Sequence, residues 1–179
     1  MKATKIVFTF FLLFILVQAC KQESPKVVSF LGEDQKKAAQ QVVENFCKFY
    51  AAQDLKGLTQ LLSKSPDFVF LGIDSAEVIK SIPDFEVQMK NNWLIIPSAK
   101  PGELRNLSIQ GEGAFVAIQC EIPWEITAAS QVSHPLFRFS CILKREDNSW
   151  RIVNGMMAIA SKKQSSREMV KKMQEMGKK

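Results

Sequence analysis

The stretch 114–160 constrains this chain more than any other part, because apolar and polar residues alternate with a period of two through three long runs. In the first run Ala114, Val116, Ile118, Cys120, Ile122, Trp124 and Ile126 share one parity, and Gln119, Glu121 and Glu125 fall on the other. Successive side chains of a strand point to opposite faces, so this is the pattern of a strand with one buried face. Phe137, Phe139, Cys141 and Leu143 repeat it against Arg138, Ser140 and Lys144, and Trp150 and Ile152 begin it again around Arg151. Gly111-Glu112-Gly113 predicts a hairpin turn into the first run, Glu146-Asp147-Asn148 a turn between the last two, and 128–135 a longer loop. Pro123 lacks a ladder N–H, which predicts an edge position or a bulge that bends the sheet into a concave face.

An apolar concave face requires a cover, and the preceding residues supply one. Asp34 predicts the cap of a helix in which Ala39, Val42, Val43, Phe46, Phe49 and Tyr50 recur at three- and four-residue spacing. Asp54 caps a second, shorter helix with Leu55, Leu58, Leu61 and Leu62 on one side, stopped by Ser65-Pro66. The continuous apolar run 68–73 predicts a strand buried on both faces. Ser75 predicts the cap of a third helix, broken or kinked at Pro83, whose continuation carries Phe85, Met89 and Trp93 on one face. Leu94 to Ile96 reads as a short strand ended by Pro97, and Lys100-Pro101-Gly102 as a turn into a strand over 104–110. The fold class is α+β: a strongly bent antiparallel sheet covered by about three helices, in one domain over 34–160.

The N-terminus has another purpose. Lys2 and Lys5 precede an apolar run from Ile6 to Val17, interrupted only by Thr9. Twelve residues are too few for a spanning helix, which needs about 20, so 1–19 reads as an export signal that is removed. The residues Val17-Gln18-Ala19-Cys20 resemble the lipobox of bacterial lipoproteins, although Gln18 stands where a small residue is usual. That resemblance implies acylation of Cys20, with 20–33 as a tether, and a location in the bacterial cell envelope, periplasmic or surface-exposed, with the membrane as partner.

The formal charge of +6 would suggest a nucleic-acid partner if it lay on the domain. It does not: residues 161–179 hold seven basic and two acidic residues, which leaves the domain close to neutral and without the basic face such a partner needs. In this tail Ser165-x-x-Glu168 has the form of a capping box, and Met169, Val170, Met173 and Met176 follow as a narrow apolar stripe. It reads either as a solvated terminal helix or as one lying on anionic lipid. Cys47, Cys120 and Cys141 have no metal-ligand spacing, so no metal and no cofactor is expected. Cys120 and Cys141 are read as buried small hydrophobes, with a cross-strand disulfide as the alternative.

The run Phe68-Val69-Phe70-Leu71-Gly72-Ile73-Asp74 followed by Glu77, and the closing Trp150-Arg151-Ile152-Val153, resemble the SnoaL-like domains of the nuclear transport factor 2-like superfamily. The likeness covers about 34–160 and implies a cone-shaped α+β fold. Where such domains often continue with histidine and serine on the face of Trp150, this chain has Asn154, Met156 and Ala158. Enzymes of the superfamily use an Asp or His base, which makes Asp74 and Glu77 the candidate catalytic residues; both also suit a strand-to-helix junction. His134, beside Pro135, reads as a solvated loop residue. A pocket lined by Tyr50, Trp93, Trp124, Phe139, Asn154 and Met156 is expected to bind a small, mostly apolar ligand, or the cone a protein partner. The other readings are an isomerase- or cyclase-like enzyme and a non-catalytic dimerisation module; an enzyme is the less favoured.

Overall fold

The computed structural model describes residues 31–74 and 76–160. The signal segment, Cys20 and the tail 161–179 lie outside the described residues. Three helices, α1 (Glu33–Ala51), α2 (Leu55–Gln60) and α3 (Ile82–Ile95), cover one curved sheet of eight strands among those described. The strands are β1 (Val69–Leu71), β2 (Val78–Ile79), β3 (Ser98–Pro101), β4 (Arg105–Glu112), β5 (Phe115–Ala128), β6 (Gln131–Ser133), β7 (Leu136–Glu146) and β8 (Ser149–Ile159). Their order is β2-β1-β8-β7-β5-β3, with β4 and β6 also paired to β5; all neighbours are antiparallel except β1 and β8. This is the α+β arrangement expected.

β5 organises the sheet. Its inward parity is the one read from the sequence: Val116, Ile118, Cys120, Ile122, Trp124 and Ile126 are all buried. Pro123 lies at neither a free edge nor a bulge of β5. One edge of β5 pairs with β4 up to Glu121 and with β3 from Trp124 onward. Trp124 N–H donates to Pro135 O (3.0 Å) on the opposite edge, so the missing proline N–H falls where β4 hands over to β3. The Pro123 carbonyl accepts from Gly102 N–H on that side (2.8 Å). A proline is tolerated in mid-strand because no neighbour asks for its donor there.

Several boundaries move. Gly32, not Asp34, is the N-cap of α1, with Glu33 and Asp34 in its first turn, where acidic residues suit the helix dipole. Asp54 does cap α2, accepting from Gly57 N–H at 2.8 Å, but α2 ends before Ser65, because Leu62 bridges to Ile152 of the sheet. The strand at 68–73 shortens to β1 and is buried on one face and half-buried on the other. The third helix starts later than expected: Ser81 caps it, accepting from Asp84 N–H, and Pro83 sits in the first turn, where its absent N–H costs nothing. Leu94 and Ile95 finish that helix, so the next strand is β3. The turn after β4 is Gly113-Ala114, with Gly113 at φ +61°. The expected loop at 128–135 is a hairpin into β6, its turn residues Ala129 and Ser130 both at positive φ, as are Asp147 and Asn148 between β7 and β8.

One shift decides where the last strand points. Ile142 pairs with Asn154 but Leu143 pairs with Ile152, so Val153 is an extra residue in β8. Before it Trp150 and Ile152 face inward; after it Gly155, Met157 and Ile159 do, opposite Cys141, Phe139 and Phe137. Asn154 and Met156 pair with Ile142 and Ser140 on the outer face. The parity read from Trp150 therefore reverses half way along β8. The core runs from Val116, Leu143 and Ile152 to a cluster in which Phe46 stacks on Phe70 (5.8 Å) and Phe139 (5.3 Å), with Phe85 edge-on to Phe70 (5.4 Å).

Candidate functional site

Beyond that aromatic cluster the inner face does not fill. A cavity of about 220 Å³ opens between the C-terminal end of α1, the second half of α3, the β1–β2 connection and the inner faces of β5, β7 and β8. Its apolar wall includes Phe46, Phe70, Ile79, Met89, Trp124, Ile126, Phe137 and Met157; Tyr50, Glu77, Gln88 and Asn92 are the polar contributors. Tyr50 and Trp124 thus stand where the sequence placed them, the two rings edge-on at 5.6 Å. Trp93 does not line the cavity. It packs against Tyr50 (6.0 Å) and donates its indole N–H to the Tyr50 carbonyl (3.2 Å), fixing the end of α1. Phe139 is a core residue, and Asn154 and Met156 are outside.

The polar residues divide into those already engaged and those not. Glu77 Oε2 accepts from the backbone N–H of Ile73 (2.7 Å) and Asp74 (3.2 Å), and its Oε1 accepts from Gln88 Nε2 (2.6 Å). Gln88 also donates to Asn92 Oδ1 at 3.0 Å. Glu77 therefore ties the β1–β2 connection to α3, with Gly72 opposite: a Cβ there would overlap the Glu77 side chain. Asp74 accepts from Ala76 N–H within the same turn (2.9 Å) and does not line the cavity. The Tyr50 hydroxyl, by contrast, bonds to no described residue. Burial first, and the negative charge of Glu77 second, push its phenol up to about 12, so it stays a donor. Asn92 Nδ2 is the second donor in the wall without a described acceptor.

Trp124 Nε1 is buried and has no partner among the described residues, an arrangement that costs about 1–3 kcal/mol. The three thiols of Cys47, Cys120 and Cys141 are free and buried, as small hydrophobes would be. Burial raises Cys47 to about 12 and Cys120 to about 11, and Cys141 in the same direction. No group of metal-ligating side chains occurs among the described residues. His134 lines a separate open groove with Lys100, Arg105 and Glu125, outside the cavity. Sequence reasoning missed most of the wall, Ile79, Asn92, Phe137 and Met157 among it; of these four, only Phe137 could have been signalled, by the inward parity on its strand.

The family described as SnoaL-like domain matches residues 39–160. No curated protein matches the chain. Among crystal structures, a candidate dehydratase of the NTF2-like family from Streptomyces avermitilis superposes with a TM-score of 0.64 at 9% identity, covering 73% of this chain and 99% of that one. A candidate scytalone dehydratase from Novosphingobium aromaticivorans gives 0.62 at 6% identity, over 72% and 85%. A protein of unknown function with a cystatin-like fold from Nostoc punctiforme gives 0.62 at 9%, over 74% and 96%. At these identities the likeness is one of fold.

Proposed function

The chain belongs to the SnoaL-like domain family, and from that premise we propose that its cavity binds a small, mostly apolar molecule through one hydrogen-bond acceptor. The observation that carries this reading is the Tyr50 hydroxyl: a donor in an apolar wall that no described residue engages. A dry apolar cavity of ~150 Å³ holds one benzene, so about 220 Å³ admits a single substituted ring. Acetophenone and α-methylstyrene have nearly the same shape and differ in the oxygen. In calorimetric titration the ketone should bind about tenfold tighter, as one net hydrogen bond gives, and Tyr50→Phe should abolish the difference. Equal affinities for the two probes in the unmodified protein, or no binding of either, would refute the reading.

An isomerase- or cyclase-like catalyst is the second reading, supported by the presence of Glu77 in the cavity wall and by the two structural relatives named as candidate dehydratases. It has less support, because both oxygens of Glu77 are held by three donors whose loss would loosen the β1–β2 connection. A dimerisation module with a filled cone is disfavoured by the cavity, although Phe115, Ile142 and Met156 are exposed hydrophobics. The placement of the domain in the cell rests on the sequence: an acylated Cys20 would hold it at a bacterial membrane. Cys20→Ala should release the exported protein from the membrane fraction and end incorporation of labelled fatty acid; unchanged partitioning would exclude the anchor.

A further inference from the structure

Glu77 settles the orientation of two amides in the cavity wall. A carboxylate oxygen can only accept, so the Gln88 atom 2.6 Å from Glu77 Oε1 is the nitrogen Nε2. The other hydrogen of that NH2 group goes to Asn92 Oδ1 at 3.0 Å, and both are then spent. Asn92 accepts with its oxygen, so its own NH2 group is left as a donor without a described acceptor. The order Glu77, Gln88, Asn92 runs one way: a charge at one end fixes a donor at the other.

That donor stands apart from the Tyr50 hydroxyl. Tyr50 is on α1 and meets Trp124 of β5 edge-on at 5.6 Å, whereas Asn92 is on α3. With the buried Trp124 Nε1, the lining residues hold donors on three elements that no described residue answers, in a wall that is otherwise mostly apolar. A ketone oxygen has two lone pairs, so a ligand with one such group leaves at least one of these donors unanswered. Charge limits what the rest of the ligand can be. The described lining includes Glu77 and no lysine, arginine or histidine. A ligand carboxylate would therefore be buried near a like charge with no cation to offset it.

We propose that the ligand is a neutral ring compound with a second hydrogen-bond acceptor, taken by Asn92 Nδ2, and that Glu77 and Gln88 are positioning residues that keep this amide in its donating orientation. The inference rests on the binding reading above, in which Tyr50 takes the first acceptor. The probes are the three cyanoacetophenones, each titrated calorimetrically beside its ethynyl twin, which has the same linear shape and no nitrogen lone pair. At least one cyano isomer should bind about tenfold tighter than its twin, as one net hydrogen bond gives. Asn92→Leu should abolish that ratio while acetophenone keeps its advantage over α-methylstyrene, and Tyr50→Phe should do the reverse. Gln88→Met frees the Asn92 amide to turn, and Glu77→Gln removes the charge that sets the order. Each should lower the cyano ratio about threefold, the cost of ordering a side chain, with the ketone preference unchanged. No cyano advantage at any ring position overturns the proposal and leaves the binding reading standing if the ketone preference persists. An advantage that survives Asn92→Leu overturns the assignment to Asn92, and one untouched by both other variants overturns the positioning roles. Tighter binding of 3-acetylbenzoate than of 3-cyanoacetophenone overturns the neutral class. A cyano advantage without a ketone preference would support Asn92 as an anchor and remove Tyr50 as one.

Discussion

The two ends of the inner sheet face are built from the same strands and differ in what covers them. At the closed end Val116, Ile118, Leu143 and Ile152 are fully buried in the core that also holds Val43 and Phe46. At the open end Trp124, Ile126, Phe137 and Met157 surround a cavity of about 220 Å³. Both stretches of β5 alternate equally well, so pattern alone does not separate filled core from binding wall. The sheet changes partners at Pro123 and gains a residue at Val153, and the cavity lies beyond those points. A protein can thus keep a tight core and an unfilled pocket on one continuous face, with the Phe46–Phe70–Phe139 stack as the partition.

The largest test of this contrast compares truncations at the two ends. Ile118→Ala and Leu143→Ala should each cost about 2–5 kcal/mol in urea unfolding, from lost transfer energy and a new void. Met157→Ala should cost well under half of that, because it already borders empty space and solvent. Equal losses would mean that the cavity collapses in solution and that the two ends are one core.

The partition can be pressed directly. A Cβ at Gly155 would lie 2.5 Å from the Phe70 ring, so Gly155→Ala should destabilise by about 1–3 kcal/mol through overpacking. It should also weaken acetophenone binding, since Phe70 forms both the core stack and the cavity wall. A stability loss with binding intact would show that the ring moves away from the cavity.

Alkaline pH sharpens the comparison in another way. Burial holds Cys47 near 12 and Cys120 near 11 against an ordinary 9.0, and Tyr50 near 12 against 10.0. In each case the folded state keeps its proton longer than the unfolded chain, so this stability is complete below pH 9 and declines as pH rises toward 11–12. The thiols, in the closed half, should begin the decline from pH 9, and Tyr50, at the open end, should add to it only above 10. The slope should be on the order of 1 kcal/mol per pH unit for each thiol. Urea melts at pH 8 and 10 should show Cys47→Ala with a shallower fall; an identical fall would leave that thiol out of the linkage.

The smallest effect concerns the indole N–H of Trp124, which has no partner among the described residues. Trp124→Ala should cost ~3–5 kcal/mol, whereas Trp124→Phe should cost less than ~1.5 kcal/mol, because removing the unpartnered N–H offsets part of the lost contact. A Phe variant as unstable as the Ala variant would mean that the indole N–H has found a partner in solution.

Much of the site was legible and much was not, for identifiable reasons. Trp124 was visible because it continues an unbroken alternation, and Tyr50 because it lies on the helical face of Val43 and Phe46. The cap at Asp54 and the turn at Asp147-Asn148 were visible because their chemistry is local. Asn154 and Met156 were misplaced because an inserted residue leaves no compositional mark: Val153 is as good a strand former as its neighbours. Ser75 and Ser81 are equally good caps by type, and only the pairing of Val78 and Ile79 with Leu71 and Phe70 chooses the later one.

Local chemistry therefore determined the fold class, the inward parity of β5 and β7, and the wall residues that parity carries. What it could not determine is where parity breaks. On its other edge Ile152 is tied to Leu61 and Ser63 through backbone bonds of 2.7 and 2.9 Å, while Asn154 to Met156 are tied to β1. The residue between them is extruded from its ladder with β7 because two separate segments, far apart in sequence, claim the strand on either side of it. That competition is between distant hydrogen-bonding edges, which exist only once the chain has folded, and it decides whether Met156 or Met157 looks into the cavity.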